Sequence, residues 1–192
     1  MKQCVFNKKD YNSGDGMLTS VWGPNLWHVL HTISFNYPVN PTEQEKIHYM
    51  NFIKSLQYVL PCRYCRINLK KNLNKHKLTK KVMESRDSFS RWLYNLHNHV
   101  SKMLGKTGNI SYYEVRERYE HFRSRCMTEN KKDKSQVGGS KIKSKKKQRG
   151  DKKEKGCTKP MYGVKSMSVI NIVPRRSGIK SLTISPKCRL KK

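Results

Sequence analysis

Acidic residues are scarce in this chain: 13 Asp and Glu stand against 42 Lys and Arg in 192 residues, a formal net charge of +29. That imbalance points to acidic partners, nucleic acid or acidic proteins. Long apolar runs are missing as well. None approaches the roughly 20 residues needed to cross a bilayer, which excludes a membrane span. The opening MKQCVFNKKDYNSGDG lacks the apolar stretch of a signal peptide, so the expectation is a protein made and kept in the cytosol. Cysteine is sparse. Cys4, Cys126, Cys157 and Cys188 are scattered and form no second pair, which leaves Cys62 and Cys65 as the only close couple. In a reducing compartment such a Cys-x-x-Cys more often binds metal or cycles its redox state than staples a fold.

Aromatic residues run out in the last third. Residues 131–192 contain no Trp or Phe, only Tyr162, and 21 Lys and Arg against 3 Asp and Glu. A stretch that polar cannot offset its chain entropy by burial, so a mostly disordered basic tail is expected. The chain thus divides into an N-terminal arm (1–18), a folded domain (19–125) and the tail (126–192). Lys141 to Lys155 is the densest basic run; without interleaved aromatics it offers phosphate contacts but no base stacking. The tail's Ser-Val-Ile-Asn-Ile-Val and Ser-Leu-Thr-Ile runs are too short and isolated to make a domain.

The folded part reads as helical throughout. Trp22-Gly-Pro24 resembles a helix start, and Leu26, Trp27, Leu30, Ile33 and Ser34 recur at helical spacing until Tyr37-Pro38 stops the run. Pro41-Thr42-Glu43 opens a second helix, with Ile47, Met50, Ile53, Leu56 and Leu60 on one side. A third, short and basic, runs from Cys62 to about Asn74. Asp87 or Ser88 is the expected cap of the fourth, whose Phe89, Trp92, Leu93, Leu96, Val100, Met103 and Leu104 make the strongest amphipathic pattern, ended by Gly105. A fifth spans about 111 to 122. Helices with short loops and little strand propensity predict an all-α fold, a four-helix bundle with a short fifth helix.

Pro61-Cys62-Arg63-Tyr64-Cys65 is where the spelling implies chemistry. The proline places Cys62 at a helix N-terminus, where amide dipoles favour the thiolate. Four readings compete. A structural zinc site needs two more ligands, and His97 and His99, two apart on a helix, point to different sides. A thioredoxin-like dithiol needs β-α-β context. A chance pair of buried thiols is the plainest reading. The fourth is a dithiol that passes electrons to a cofactor bound in a helical bundle. Trp27 and His31 lie one helical turn apart on one face. With His97, Asn98 and Lys106 they supply ring-stacking groups, hydrogen bonders and a phosphate-compatible charge, although each pair alone is equally read as ordinary core.

Three ordered blocks carry a resemblance: Trp27-x-x-x-His31-Thr32 then Tyr37-Pro38; Tyr58-x-x-Pro61 then Cys62-Arg63-Tyr64-Cys65; and Trp92-Leu93-x-x-Leu96-His97-Asn98-x-Val100 then Leu104-Gly105-Lys106. Over residues 20 to 106 the chain resembles the Erv/Alr sulfhydryl oxidases, small FAD enzymes that make disulfides. The resemblance implies a five-helix FAD-binding bundle, a homodimer, with Cys65 beside the flavin and Cys62 facing incoming thiols. Trp27, His31, Tyr37, His97, Asn98, Val100 and Lys106 would hold FAD. Thiol-bearing proteins and dioxygen would be the substrates, a thioredoxin-like protein a relay partner, and hydrogen peroxide the product.

Ser101 stands where the family usually has asparagine, and Tyr94 where many members have a cysteine, so their structural disulfide has no counterpart. The second Cys pair that many members carry on a flexible arm is also missing. Compact relatives of large cytoplasmic DNA viruses fit a Lys- and Asn-rich chain, which implies the host cytoplasm and the virion as its location. The reading from a different class is a non-enzymatic basic scaffold or nucleic-acid-binding protein whose helical head positions the tail.

Overall fold

The computed structural model describes residues 7–106, 108, 110–127, 156–174, 177–180 and 182–189. Cys4 and the basic run 141–155 lie outside them. The chain divides into two compact units, Met1–Arg116 and Glu117–Lys192.

The first unit begins with a single turn, α1 (Lys8–Tyr11), capped reciprocally by Asn7 and Asp10. Helix α2 (Thr19–Phe35) starts ahead of the expected Trp22–Pro24, so Pro24 lies inside it. The missing proline N–H withholds the i→i−4 donor from the Ser20 carbonyl, a loss confined to the first turns of the helix. Trp22 Nε1 donates to the Met17 carbonyl at 3.1 Å and Asn25 Nδ2 to the Val21 carbonyl at 3.0 Å. Helix α3 (Glu43–Val59) opens on the expected signal: Thr42 accepts from the Glu45 amide, and the Glu45 carboxylate accepts from the Thr42 amide. Helix α4 (Arg63–Lys75) follows Pro61, with Cys62 as its N-cap. Helix α5 (Arg86–Met103) is capped by Ser85 paired with Ser88, not by Asp87 or Ser88 themselves. Asp87 instead pairs with Arg91 at 2.7 Å inside the first turn. Gly105, at φ 66°, ends the helix in the left-handed region as its residue type foretells. Helix α6 is Tyr112–Glu120.

Helix α2 packs on α5, and α3 on α4. Their shared core centres on Tyr37, Ile53, Met83, Phe89 and Leu93, all essentially inaccessible. Tyr37 donates its hydroxyl to the Met83 carbonyl at 2.8 Å, so a loop and a 3-10 turn (Lys81–Glu84) are tied inside an apolar centre. The amphipathic pattern of α5 is used only in part. Phe89, Trp92, Leu93 and Leu96 are buried, whereas Met103 and Leu104 are exposed because the last turn runs past the core. Ile47 of α3 is likewise exposed, while Ile53, Leu56 and Leu60 are buried.

The all-α expectation holds for the first unit. The second contains a two-stranded antiparallel ladder, β1 (Ser124–Met127) with β2 (Gly156–Pro160), pairing Ser124 with Pro160 and Arg125 with Lys159. Sequence reading placed β propensity at 168–173 and 181–184 instead, and the described residues of those runs form no strand. The strand that forms is found through its pairing, which local propensity does not report. Cys157, on β2, is disulfide-bonded, which corrects the reading of it as a lone cysteine. Cys188 is a free thiol. Among the described residues no helix is long and apolar enough to cross a membrane.

Candidate active site

Pro61 interrupts the chain between α3 and α4, and the next residue becomes the cap. Cys62 is extended (φ −156°, ψ 118°), and its sulfur accepts from the Cys65 amide at 3.2 Å. A thiolate there sits at the positive end of α4. Arg66 closes the corner from the next turn, its guanidinium donating to the Leu60 carbonyl. Both sulfurs are free thiols and half-buried. Cys65 packs against the core cluster.

The two thiols are pushed in opposite directions. Cys62 is held below the ordinary thiol value, first by its hydrogen bond with the Cys65 thiol, then by the Cys65 amide, the Thr19 hydroxyl and the Tyr64 amide, against the effect of burial. Burial pushes Cys65 up to about 11, with the Cys62 hydrogen bond and charge acting the same way. One sulfur is therefore the ready nucleophile, and the other holds its proton.

Helices α2 and α5 bring together the aromatic set. The Trp27 indole stacks on the His97 imidazole, centroids 4.1 Å apart and planes 5° from parallel. His31 Nε2 and His97 Nδ1 share a hydrogen bond at 2.9 Å. Burial, with the charges of His97 and His28 added, drives His31 down to about 3. Burial and the Lys106 charge drive His97 to about 4. Both imidazoles are neutral at ordinary pH, and Lys106, just past Gly105, lies close enough for His97 to feel its charge.

Of the other expected site residues, Asn98 and Val100 are half-buried on α5. Tyr37 is wholly buried, its ring against Tyr49 and Phe89 and its hydroxyl committed to Met83. It belongs to the hydrophobic core. His99 points away from His97, as its spacing foretells, and its ring meets that of His76 at 4.7 Å. Sequence reading passed over His28, which burial also lowers. His28 sits one turn before His31–Thr32, a spacing that gave a usable signal.

The family model described as Erv1/Alr matches residues 24–120. A probable FAD-linked sulfhydryl oxidase of Acanthamoeba polyphaga mimivirus is 44% identical over 85 residues, covering 44% of this chain and 59% of that protein. The mitochondrial FAD-linked sulfhydryl oxidase of Saccharomyces cerevisiae is 31% identical over 84 residues, 44% of this chain and 43% of its own length. An FAD-linked sulfhydryl oxidase of African swine fever virus is 32% identical over 99 residues, 52% of this chain and 80% of that protein. The chain thus spans less than two thirds of the length of the mimivirus and Saccharomyces relatives. Among solved structures, the yeast Erv1 core aligns with a TM-score of 0.50 at 25% identity, over 61% of this chain and 96% of that one.

Proposed function

The chain belongs to the Erv1/Alr family, and from that premise we propose that it is an FAD-dependent thiol oxidase that forms disulfides in proteins through Cys62 and Cys65. The observation that carries this reading is the free dithiol on the first turn of α4, with acidity split between its sulfurs. The relatives' names, which state FAD linkage and sulfhydryl oxidation, support it.

The donor set suits the cofactor. FAD needs flat faces, neutral hydrogen-bonding groups near its rings and cations for its phosphates. Trp27 provides the face, His31 and His97 the neutral imidazoles, and Lys106 the cation. Asn98 and Val100 flank them on α5, and Tyr37 acts from the core by anchoring the chain where α2 ends. When bound, FAD supplies a two-electron acceptor for the dithiol and a route from there to dioxygen, which leaves as hydrogen peroxide.

The chain's own groups do the sulfur chemistry. In the oxidised pair, a substrate thiolate attacks the Cys62 sulfur, the Cys62–Cys65 bond breaks, and Cys65 takes up the electron pair and a proton. The substrate's second thiolate then attacks its own sulfur in the mixed disulfide. Cys62 departs as a stabilised thiolate, the better leaving group for its lowered pKa. The substrate gains a disulfide, and two electrons rest on the pair, with Cys65 a thiol carrying one proton and Cys62 a thiolate.

A homodimer, a thioredoxin-like relay protein and a location in host cytoplasm and virion complete the proposal, supported by the family and by the viral relatives. The deciding measurement is the absorption spectrum of purified protein. A flavin spectrum, with the yellow cofactor released by heat or acid, is expected, together with peroxide formation from dithiothreitol. A colourless, well-folded protein would sink the reading in favour of a basic scaffold.

A further inference from the structure

The arm ahead of α2 is clasped to the corner that carries Cys62. The Met17 amide donates to the Pro61 carbonyl at 2.8 Å, and the Met17 carbonyl accepts from Trp22 Nε1 at 3.1 Å. A β-carbon on Gly16 would sit 2.8 Å from the Pro61 oxygen and 3.2 Å from the Cys62 α-carbon. Both neighbours are backbone atoms, so only glycine allows this approach. What the clasp delivers beside the dithiol is apolar. Met17 and Leu18 are each 70% exposed, although hydrogen bonds fix the chain that carries them. Val59 at the end of α3 and Tyr64 between the two cysteines are also largely exposed. Single exposed apolar residues need no explanation, but these four are gathered at one corner, beside a reactive sulfur.

We propose that Met17 and Leu18, held at the corner by the Gly16–Met17 clasp on Pro61, are specificity-determining residues. With Val59 and Tyr64 they dock the apolar residues that flank a cysteine in a polypeptide substrate. A small dithiol meets only a sulfur and needs no such surface. A polypeptide does: once its sulfur is bonded to Cys62, the residues on either side must lie against whatever borders Cys62. Asp15 and Arg63, the charged residues next to Gly16 and Cys62 in the chain, are opposite in sign. They offer no net charge to select an acidic or a basic partner, which leaves apolar contact as the selecting term. The inference rests on the proposed function only in taking Cys62 as the exchanging sulfur.

The test uses the full-length Cys65→Ser protein, reduced without oxygen, in which Cys65 cannot resolve a mixed disulfide on Cys62. It is offered two short peptides whose cysteine carries thionitrobenzoate, one flanked by leucines and the other by serines. The Cys62 thiolate bonds to the peptide sulfur and thionitrobenzoate leaves as a coloured thiolate. The Cys62→Ser/Cys65→Ser protein is the blank for other thiols. At low peptide concentration the leucine peptide should react about tenfold faster, the equivalent of burying part of two apolar side chains. Adding Met17→Ser and Leu18→Ser should abolish that preference, while iodoacetamide, a small probe, alkylates Cys62 at an unaltered rate. Gly16→Ala should abolish the preference too, by lifting the arm. Equal rates for the two peptides, or a preference that survives Met17→Ser and Leu18→Ser, overturns the docking role. So does a matching loss of iodoacetamide reactivity, which would make the pair merely structural. A fall in mass by light scattering on Met17→Ser and Leu18→Ser would give the surface to a second copy of the chain and overturn it as well. A preference kept in Gly16→Ala overturns the clasp. The readout involves neither flavin nor turnover, so failure of the oxidase reading is told apart from failure of this one.

Discussion

At the scale of single residues, the site depends on groups whose ionisation the fold has moved. Cys62→Ser and Cys65→Ser should each abolish peroxide formation from dithiothreitol while keeping the flavin, because exchange needs both sulfurs and packing tolerates oxygen in place of sulfur. Undiminished turnover in either variant would rule out this pair as the route. The histidines give a pH prediction. His31 and His97, lowered from 6.5 to about 3 and about 4, stay neutral when folded but take up protons when unfolded. Their contribution is complete above the unfolded value of 6.5 and is lost as pH falls, toward about 4 for His97 and about 3 for His31. The slope is about 1.4 kcal/mol per pH unit for each histidine. Urea denaturation at a series of pH values should show this decline, and His31→Gln should flatten it. An equally steep decline in that variant would assign the acid sensitivity elsewhere. The dithiol and the Trp27–His31 turn were legible as local spacings. The split in acidity between the two sulfurs was not, since burial sets it and burial is decided by segments far apart in sequence.

The elements themselves carry the second kind of test. Helix α5 joins core and cluster: Phe89 is fully buried near one end, and His97 reaches the cluster toward the other. Phe89→Ala should cost about 3–5 kcal/mol in chemical denaturation, the ordinary result of emptying a packed aromatic site. Helix α6 is tied to α5 by the Tyr112 hydroxyl, 2.8 Å from Ser90 Oγ and 3.3 Å from Asp87 Oδ1, under the Arg91 guanidinium at 4.1 Å from the ring. Tyr112→Phe should lose about 1 kcal/mol, because Ser90 keeps its bonds to the carbonyls of Arg86 and Asp87. A loss as large as that of Phe89→Ala would mean that the hydroxyl holds more than this tie. Helix extents and the Thr42 and Gly105 signals could be read in advance. The cap of α5 could not, because Ser85, Asp87 and Ser88 are all competent caps, and the choice follows from where the 3-10 turn delivers the chain.

For the whole molecule, the question is what the tail adds. Every residue of the core cluster lies between Trp22 and Leu96. A chain ending at about residue 130 should therefore remain soluble, keep flavin and oxidise small thiols, since the removed part is too polar to share that core. Loss of flavin and activity together would show that the tail belongs to the fold. The full chain should bind nucleic acid without sequence preference and with a steep fall as salt rises, because residues 131–192 bring a net +18. The shortened chain, itself formally +11 over residues 1–130, is the control. Equal affinity in both would leave the tail without a binding role.

The helices, the placement of a dithiol on a helix start and the aromatic and histidine residues available to a cofactor were all written in the local order of residues. Each of these is a property of neighbours within a few residues, where helical period, proline and caps act. Tertiary structure decided the rest. It made His31 and His97 neutral, set Cys62 and Cys65 apart in acidity, turned Tyr37 into a core residue and paired Gly156–Pro160 with Ser124–Met127. Desolvation, remote hydrogen bonds and strand pairing are set by segments that meet only on folding, and no local pattern encodes them.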